Sequence, residues 1–313
     1  MTYIRAERPT MYFIGVTTGK SSIMRVFPKW VEALGIDAVI KGMDLPIHAE
    51  PECYREAVAF IKNDPLSLGA LVTTHKIDLY NAAKDLFDYM DPYALQFGEL
   101  SSISKGADGS LRGHAKDPIT CGMAMEEFVP PAYWKENPDA GVMIMGAGGS
   151  AISMCAYYLR KEFIGNQPLS IAVCNRSKPR LDELKHICDA LNPGTVKMEY
   201  YLTPEPGQND KVLAGMTDGS LIINATGLGK DRPGSPLTDD AVFPQKATVW
   251  EINYRGELNF LHQAQAQQAA RELNVQNGWM YFIYGWTQVM AEVFHREILG
   301  ETLRKLSDIA AGC

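Results

Sequence analysis

The sequence predicts an α/β protein of two domains. Its 313 residues exceed what one ordinary core needs, and apolar strand-like segments alternate with amphipathic helical segments along most of the chain. Such alternation is typical of βαβ units, whose strands pair in parallel. Because 46% of the residues are hydrophobic and 21% are charged, we expect the chain to be globular and ordered throughout.

The first third of the chain carries the first of these units. Residues 11–16, 36–43 and 69–74 are apolar runs rich in β-formers, and each precedes an amphipathic stretch. In residues 99–117 small polar and apolar residues alternate around a glycine-containing turn, which predicts a hairpin. We therefore expect a mostly parallel sheet in an N-terminal domain that ends near residue 118.

Strand-like runs resume after residue 140 and indicate a second α/β domain. They cover residues 141–145, 168–174, 196–202, 220–226 and 247–253. From residue 279 onward the pattern predicts one long amphipathic helix with no strand after it, and we expect this tail to pack back on the first domain. The predicted domains are thus residues 1–117 with about 278–313, and residues 118–277.

Charge, cysteine content and hydropathy exclude several classes of protein. The formal net charge of -7 gives no reason to expect a nucleic-acid partner, which requires clustered Lys and Arg. The six cysteines form no CxxC pair and the histidines lack metal-ligand spacing, so we predict neither a disulfide framework nor a metal site. No segment reaches the ~18 apolar residues of a membrane span. We expect a cytoplasmic protein without a membrane partner.

A glycine-rich turn in the second domain has the features of a phosphate-binding loop. It lies between a buried strand and a helix opened by small residues, and consists of Gly146, Ala147, Gly148, Gly149 and Ser150. Glycines let the backbone approach a pyrophosphate, while the amides and dipole of the helix N-terminus attract negative charge. The spacing departs from G-x-G-x-x-G, so a tight structural turn is the alternative.

The residues after the next strand favour NADP over NAD. A carboxylate at this position would bind the ribose hydroxyls of NAD, but no acid occurs among Asn175, Arg176, Ser177, Lys178 and Arg180. Guanidinium groups match phosphate oxygens with paired hydrogen bonds, which predicts a site for the 2′-phosphate of NADP. NAD stays open as an alternative, because basic residues at a helix start are common.

A third segment of the second domain is expected near the nicotinamide. Residues 221–229 form a buried strand that ends in a polar turn containing Asn224, Thr226 and Gly227. In a parallel sheet the carboxyl end of this strand should lie beside the first glycine turn. We therefore include these residues among the predicted cofactor contacts.

Seven motifs together resemble the shikimate dehydrogenase family over nearly the whole chain. In the second domain they are GAGGSAIS (146–153), NRSKPR (175–180), INATGLG (223–229) and VWEINY (249–254). In the first domain they are VTTHK (72–76), GELSS (98–102) and GHAKD (113–117), which resemble the family's NVTxPHK, GAVNT and GxNTD. The resemblance implies an N-terminal substrate domain, a C-terminal Rossmann dinucleotide-binding domain, and NAD(P)-dependent oxidation of shikimate, quinate or a related polyol acid.

The resemblance assigns the catalytic roles to Lys76 and Asp117, the family's Lys-Asp pair. Oxidation of a secondary alcohol requires that the hydroxyl proton leave as hydride passes to the nicotinamide. An amine held beside a carboxylate can relay that proton and stabilise the alkoxide. We expect the two side chains to meet across a crevice between the domains. Whether Lys76 acts as a base or as an electrostatic clamp stays open, and a structural salt bridge is the alternative.

The predicted substrate site departs from the family pattern. Ser21 matches the first serine of the family's HSxSP motif, but Ile23 stands at the second. Ser101 replaces an asparagine of the family. Gly285 stands where the family has a glutamine, and Gln288 lies about one helical turn after it.

Thr73, Tyr254 and Lys20 complete the predicted substrate contacts. Lys20, together with Thr18, could restore an anion contact in the loop that contains Ser21. Since a site built to bond a hydroxyl rejects ligands that lack it, these changes predict a changed substrate. We predict a dehydrogenase of a polyol or carboxylate substrate with weak or no turnover of shikimate.

Other functions stay open at this point. One is a binding or regulatory protein that holds NADP and a ligand but catalyses no reaction. Another is a methylene-tetrahydrofolate-type dehydrogenase, for which an aromatic pocket formed by Trp279, Tyr281, Tyr284 and Trp286 would argue. Aromatic residues near a long helix are more often packing residues. The oligomeric state, monomer or homodimer, is undecided by the sequence.

Overall fold

The computed structural model describes residues 3–230 and 232–313 and confirms an α/β fold. The chain divides into two compact units, one formed by Met1–Lys116 with Gly285–Cys313 and the other by Asp117–Tyr284. The domain boundaries drawn from the sequence stay a prediction. No helix within the described ranges is long and apolar enough to cross a membrane.

The first unit alternates strands and helices and then forms a hairpin. Its N-terminal elements are β1 (Thr10–Gly15), α1 (Ile23–Leu34), β2 (Val39–Asp44), α2 (Pro51–Asn63), β3 (Ser67–Val72), α3 (Lys76–Ala83), β4 (Tyr89–Met90), α4 (Pro92–Phe97), β5 (Ser102–Lys105) and β6 (Leu111–His114). The strands form a six-stranded sheet in the order β2-β1-β3-β5-β6-β4. β1 pairs in parallel with β2 and β3, whereas β5 pairs antiparallel with β3 and β6. The predicted hairpin is confirmed, and the two-residue β4 is too short to give a sequence signal.

The second unit is a parallel α/β sheet. Its elements are α5 (Asp117–Glu126), α6 (Tyr133–Glu136), β7 (Val142–Met145), α7 (Gly149–Tyr158), β8 (Ser170–Asn175), α8 (Lys178–Leu191), β9 (Lys197–Leu202), α9 (Pro206–Leu213), β10 (Leu221–Asn224), β11 (Thr248–Glu251), α10 (Asn259–Arg271) and β12 (Asn274–Gln276). All pairs are parallel in the order β12-β11-β10-β7-β8-β9. Counted from β7 as the first strand, this is the 3-2-1-4-5-6 order of dinucleotide-binding domains.

The tail of the chain forms two helices, α11 (Trp279–Val293) and α12 (Gly300–Ala311), so the prediction of one long helix was wrong. α11 ends because His295 adopts a left-handed φ of 51° and the Arg296 amide donates to the Ala291 carbonyl. Glycine is the usual residue at such an end, and its absence hid the break from sequence analysis. As predicted, the last helix packs on the first unit, where the Trp30 indole donates to the Leu306 carbonyl at 2.7 Å.

Candidate active site

The β7–α7 turn is the part of the second unit best suited to hold a phosphate. Gly146 has a φ of 115°, and a Cβ atom there would lie 2.6 Å from the Ala225 carbonyl oxygen, so only glycine fits. Ala147 behind it is buried. Gly148 is the N-cap of α7, and a Cβ at this residue would meet no atom within 4 Å. The turn leaves open space before the first amides of α7, where an anion can bind.

The register of the strands places this turn at the same edge of the sheet as the other predicted cofactor segments. Met145 of β7 pairs with Asn224 of β10, which in turn pairs with Glu251 of β11. The loops after these strands consequently open at one edge of the sheet. β7 and β10 are also the neighbours at which the strand order reverses. In open α/β sheets, ligands bind at this edge beside the point of reversal.

Hydrogen bonds hold the turn after β10 in one conformation. The Asn224 Oδ1 atom accepts from the amide and the hydroxyl of Thr226, at 3.0 and 2.6 Å. The Thr226 hydroxyl accepts from the Leu228 amide at 3.2 Å. Asn224 is fully buried, whereas Gly227 is exposed. Asn224 therefore shapes the turn, and Gly227 is the part that a ligand can approach.

The end of β8 presents one basic side chain without an acidic partner among the described residues. Arg176 is exposed there, and the Asn175 side-chain amide braces the turn by donating to the Ser177 carbonyl at 3.2 Å. The next basic residues, Lys178 and Arg180, form exposed ion pairs within α8 with the acids that follow them. Exposed pairs of this kind contribute little to stability and exchange readily. Arg176 is the residue most available to a phosphate.

The aromatic residues proposed as a pterin pocket all have packing or hydrogen-bond partners within their own unit. Trp279 packs against Phe282, which also contacts Tyr254 at a ring-centroid distance of 4.6 Å. Tyr281 donates to the Ser150 hydroxyl at 3.1 Å. Tyr284 donates to Glu127, and Trp286 packs edge-on against Phe13 of the first unit. The structure accounts for these side chains as packing residues.

In the first unit, the strand order reverses between β1 and β3, and the predicted catalytic lysine follows β3. Ile14 of β1 pairs with Val72 of β3, so the loops after these strands open at one edge of the sheet. Lys76 is the first residue of α3 and is half-buried. Its carbonyl accepts the Leu100 amide at 3.1 Å, which ties the start of α3 to the segment before β5. The lysine thus occupies the position where α/β sheets bind ligands.

Residues beside Lys76 are held by neighbouring strands. The Thr73 amide donates to the Ile14 carbonyl at 3.0 Å, and its hydroxyl lies 3.3 Å from the same oxygen. His75 is fully buried, with Nδ1 3.2 Å from the Tyr54 hydroxyl. The Thr73 hydroxyl is therefore already engaged with the backbone of β1.

The loop after β1 contains the predicted anion contacts. The Thr18 hydroxyl and amide both donate to Asp44 Oδ1, at 2.5 and 2.8 Å. Because this bond uses the only hydroxyl proton of Thr18, Thr18 has none left to donate to a substrate carboxylate. Lys20 is exposed and Ser21 is half-buried on the same loop. Lys20 and Ser21 stay the predicted donors.

Two other predicted substrate residues bond to the protein itself. Ser101 is 2% exposed, and its hydroxyl accepts the Lys116 amide at 2.7 Å. The Gln288 side-chain amide donates to the Ile298 carbonyl at 3.1 Å, between α11 and α12. Ser101 therefore fixes the backbone just before Asp117, the first residue of α5. Both assignments as substrate contacts stay predictions.

No family model matches the chain, but curated proteins do. The shikimate dehydrogenase (NADP(+)) of Methylobacterium radiotolerans is 24% identical over 251 residues, covering 79% of this chain and 78% of that protein. The shikimate dehydrogenase (NADP(+)) of Paramagnetospirillum magneticum is 26% identical over 242 residues, covering 77% of each chain.

Solved structures share the fold over nearly the full length. Quinate dehydrogenase from Corynebacterium glutamicum in complex with NAD has a TM-score of 0.72 and 18% identity, covering 98% of this chain and 99% of that chain. Shikimate 5-dehydrogenase from Thermus thermophilus in complex with NADP(H) and shikimate has a TM-score of 0.69 and 20% identity, covering 97% and 98%. A ligand-free 5-ketofructose reductase of a Gluconobacter strain has a TM-score of 0.68 and 16% identity, covering 98% and 99%.

The chain is thus similar in sequence to shikimate dehydrogenases. The sequence did not reveal a charged cluster formed by Lys116, the residue that precedes Asp117 in the chain. Lys116 and His114 both contact Glu292 of α11, which is half-buried. Lys116 was visible in the sequence as a departure from the GxNTD motif. Nothing in the local sequence of Glu292 marked it as a partner, because 176 residues separate it from Lys116.

The ionisation of this cluster follows from its burial. Burial lowers the pKa of His114, although the charge of Glu292 opposes the shift. Burial alone would raise the pKa of Glu292, but the hydrogen bond from Lys116 and the charges of His114 and Lys116 outweigh it and lower that pKa. At neutral pH Glu292 is thus ionised and bonded to Lys116, beside a neutral His114. Within the described ranges, no group of His, Cys, Asp or Glu is suited to hold a metal ion.

Proposed function

We propose that this protein is an NAD(P)-dependent dehydrogenase that interconverts a ring secondary alcohol and ketone of a polyol acid related to shikimate or quinate. One observation carries the proposal: the glycine turn at Gly146 lies at the point where a sheet of dinucleotide-binding order reverses. The likeness to shikimate dehydrogenases that act with NADP supports it.

The residues of the second unit fit a dinucleotide. The open backbone at Gly148 would receive the pyrophosphate at the start of α7, whose first residue is Gly149. Arg176 would pair with the 2′-phosphate of NADP, and no carboxylate at the end of β8 would repel it. Gly227, exposed after β10, would face the nicotinamide end. When bound, the nicotinamide supplies the hydride acceptor.

We assign proton transfer to Lys76 and Asp117. The family resemblance supports the pair, and the place of Lys76 at the strand-order reversal of the first unit agrees with it. Lys76 would act either as a neutral amine that takes the proton from the substrate hydroxyl or as an ammonium that stabilises the developing alkoxide, and Asp117 would orient it.

We further propose that the substrate is not shikimate itself. Ile23 replaces a serine hydroxyl of the family motif, while Thr18, Ser101 and Gln288 already bond within the protein. Fewer polar groups are left to bind the carboxylate and hydroxyls of shikimate. A 5-ketofructose reductase has the same fold, so the fold accommodates other polyols.

The deciding experiment measures formation of reduced nicotinamide from NADP and from NAD, with shikimate, quinate, cyclitols and sugar acids as substrates. We expect NADP-linked oxidation of a polyol other than shikimate, lost in a Lys76→Ala variant. Lys84→Ala, at the exposed far end of α3, is the matched control and should stay active. Saturable turnover of shikimate at a rate typical of housekeeping enzymes would contradict the substrate proposal. Cofactor binding without turnover of any substrate would favour a non-catalytic binding protein.

We propose a cytoplasmic location, because the free thiols of all six cysteines suit a reducing compartment. Light scattering coupled to size-exclusion chromatography decides between the monomer and the homodimer.

A further inference from the structure

A buried carboxylate connects the two loops that flank the cofactor edge of the second unit. Glu251, the last residue of β11, is fully buried. Its Oε2 atom accepts the Asn224 side-chain amide at 2.6 Å. Its Oε1 atom accepts the side-chain amide and the backbone amide of Asn253, at 2.6 and 2.8 Å. One side chain thereby joins the end of β10 to the segment after β11.

Both asparagines also form hydrogen bonds with Thr226. Asn224 uses its oxygen to hold the Thr226 amide and hydroxyl. The Asn253 amide lies 3.3 Å from the Thr226 carbonyl. The Thr226 turn is consequently held from both sides by groups that Glu251 orients.

Only a carboxylate satisfies this arrangement. The neighbouring atoms are all N–H donors, and an ionised carboxylate accepts on both oxygens without donating. A glutamine would direct its own N–H groups at one of the asparagine amides and leave a buried donor unpaired. Burial raises the pKa of Glu251 to about 7, even though the asparagine hydrogen bonds and the charge of Lys230 favour ionisation. An uncompensated charge at this depth would be costly, and the hydrogen bonds are what keep the ionised form accessible above about pH 7.

We propose that Glu251 is a positioning residue that holds the Thr226 turn and the Asn253–Tyr254 segment in the arrangement that binds the nicotinamide end of the cofactor. The proposal rests on the proposed NAD(P)-dependent function. Glu251 itself would touch neither cofactor nor substrate. It acts through Asn224 and Asn253.

The first test is a Glu251→Gln variant, with NADPH affinity measured by fluorescence titration in the absence of substrate. Loss of one hydrogen bond to a charged group should weaken binding about tenfold. Amide hydrogen exchange of the unliganded protein should rise at residues 226–228 and 253, which reports the loops directly. Glu199→Gln on β9, where the carboxylate pairs with Lys197, is the matched control and should change neither measurement.

Conservative replacement and pH provide the second test. Glu251→Asp keeps the charge but is one methylene shorter, so it should restore part of the affinity lost in the glutamine variant. Wild-type NADPH affinity should fall as pH drops below about 7, where the carboxylate takes up a proton. The glutamine variant should lack this dependence.

The outcomes separate the two proposals. Wild-type protein that binds neither NADPH nor NADH would overturn the proposed function. Wild-type protein that binds NADPH, together with a glutamine variant of equal affinity and equal loop exchange, would overturn the role of Glu251. If the glutamine variant does not fold, the pH dependence of the wild type decides, because NADPH affinity that does not fall as pH drops below about 7 would also overturn it.

Discussion

The Lys116 Nζ atom lies 2.5 Å from Glu292 Oε2, and Lys116 immediately precedes Asp117 in the chain. Its backbone amide is held at the same time by the Ser101 hydroxyl. Lys116 is therefore restrained at both its backbone and its side chain. The residue that departs from the family motif is a fixed part of the first unit.

Replacing Glu292 by Gln should destabilise the protein by about 1–3 kcal/mol, because it leaves the half-buried charge of Lys116 without its partner. Urea denaturation followed by circular dichroism measures this change. Glu301→Gln, at an exposed position in the first turn of α12, is the control and should shift the midpoint little. Equal midpoints for both variants would contradict a stabilising role for the pair.

His114 should make the wild-type protein less stable in mild acid. Burial lowers its folded pKa below the ordinary value of 6.5, so the unfolded chain binds the proton first as pH falls. The stability contributed by neutral His114 is present above pH 6.5 and is lost as pH falls below it. As pH falls below 6.5, His114→Gln should reduce the loss of unfolding free energy, as measured by urea denaturation at a series of pH values. Identical pH slopes for variant and wild type would count against this assignment.

A Gly146→Ala substitution should destabilise the fold, because its Cβ would lie 2.6 Å from the Ala225 carbonyl oxygen at a φ of 115°. Strain and overlap each cost about 1–3 kcal/mol. Gly148→Ala offers a contrast, since its Cβ would enter open space at an ordinary φ of -90°. We expect this second variant to keep its thermal midpoint but to lose NADPH affinity. If the Gly148→Ala variant binds NADPH as tightly as the wild type, the pyrophosphate does not bind at this turn.

Arg176 should decide the preference between the two dinucleotides. Arg176→Ala removes the proposed partner of the 2′-phosphate and should weaken NADP binding about tenfold to a hundredfold. NAD binding should be unchanged, because NAD lacks that phosphate. Arg180→Ala, whose side chain already pairs with Glu183, should have a smaller effect in the same titrations. Equal losses of affinity for NADP and for NAD would show that Arg176 does not bind the 2′-phosphate.

Local patterns were sufficient to predict the regular parts of this protein. The alternation of strand and helix periods predicted both sheets, because a buried parallel strand must be apolar along its whole length. The segment at Gly146 could be recognised as a ligand turn, since a backbone with positive φ that passes beside another strand accepts only glycine. By contrast, β12 and β4 were too short to show a period, and the end of α11 lacked the glycine that usually marks it.

Side-chain partnerships distant in sequence were decided only by the tertiary structure. The family resemblance predicted Ser101 and Gln288 near a substrate, with Thr18 as a further anion contact. It could not reveal that their polar groups already bond to Lys116, Ile298 and Asp44. The sequence likewise could not show what Glu251 of the VWEINY motif contacts, whereas the fold brings two asparagine side chains to its oxygens. The physical reason is that periodicity and turn chemistry act over a few residues, while a hydrogen bond between side chains depends on where the whole fold places each end.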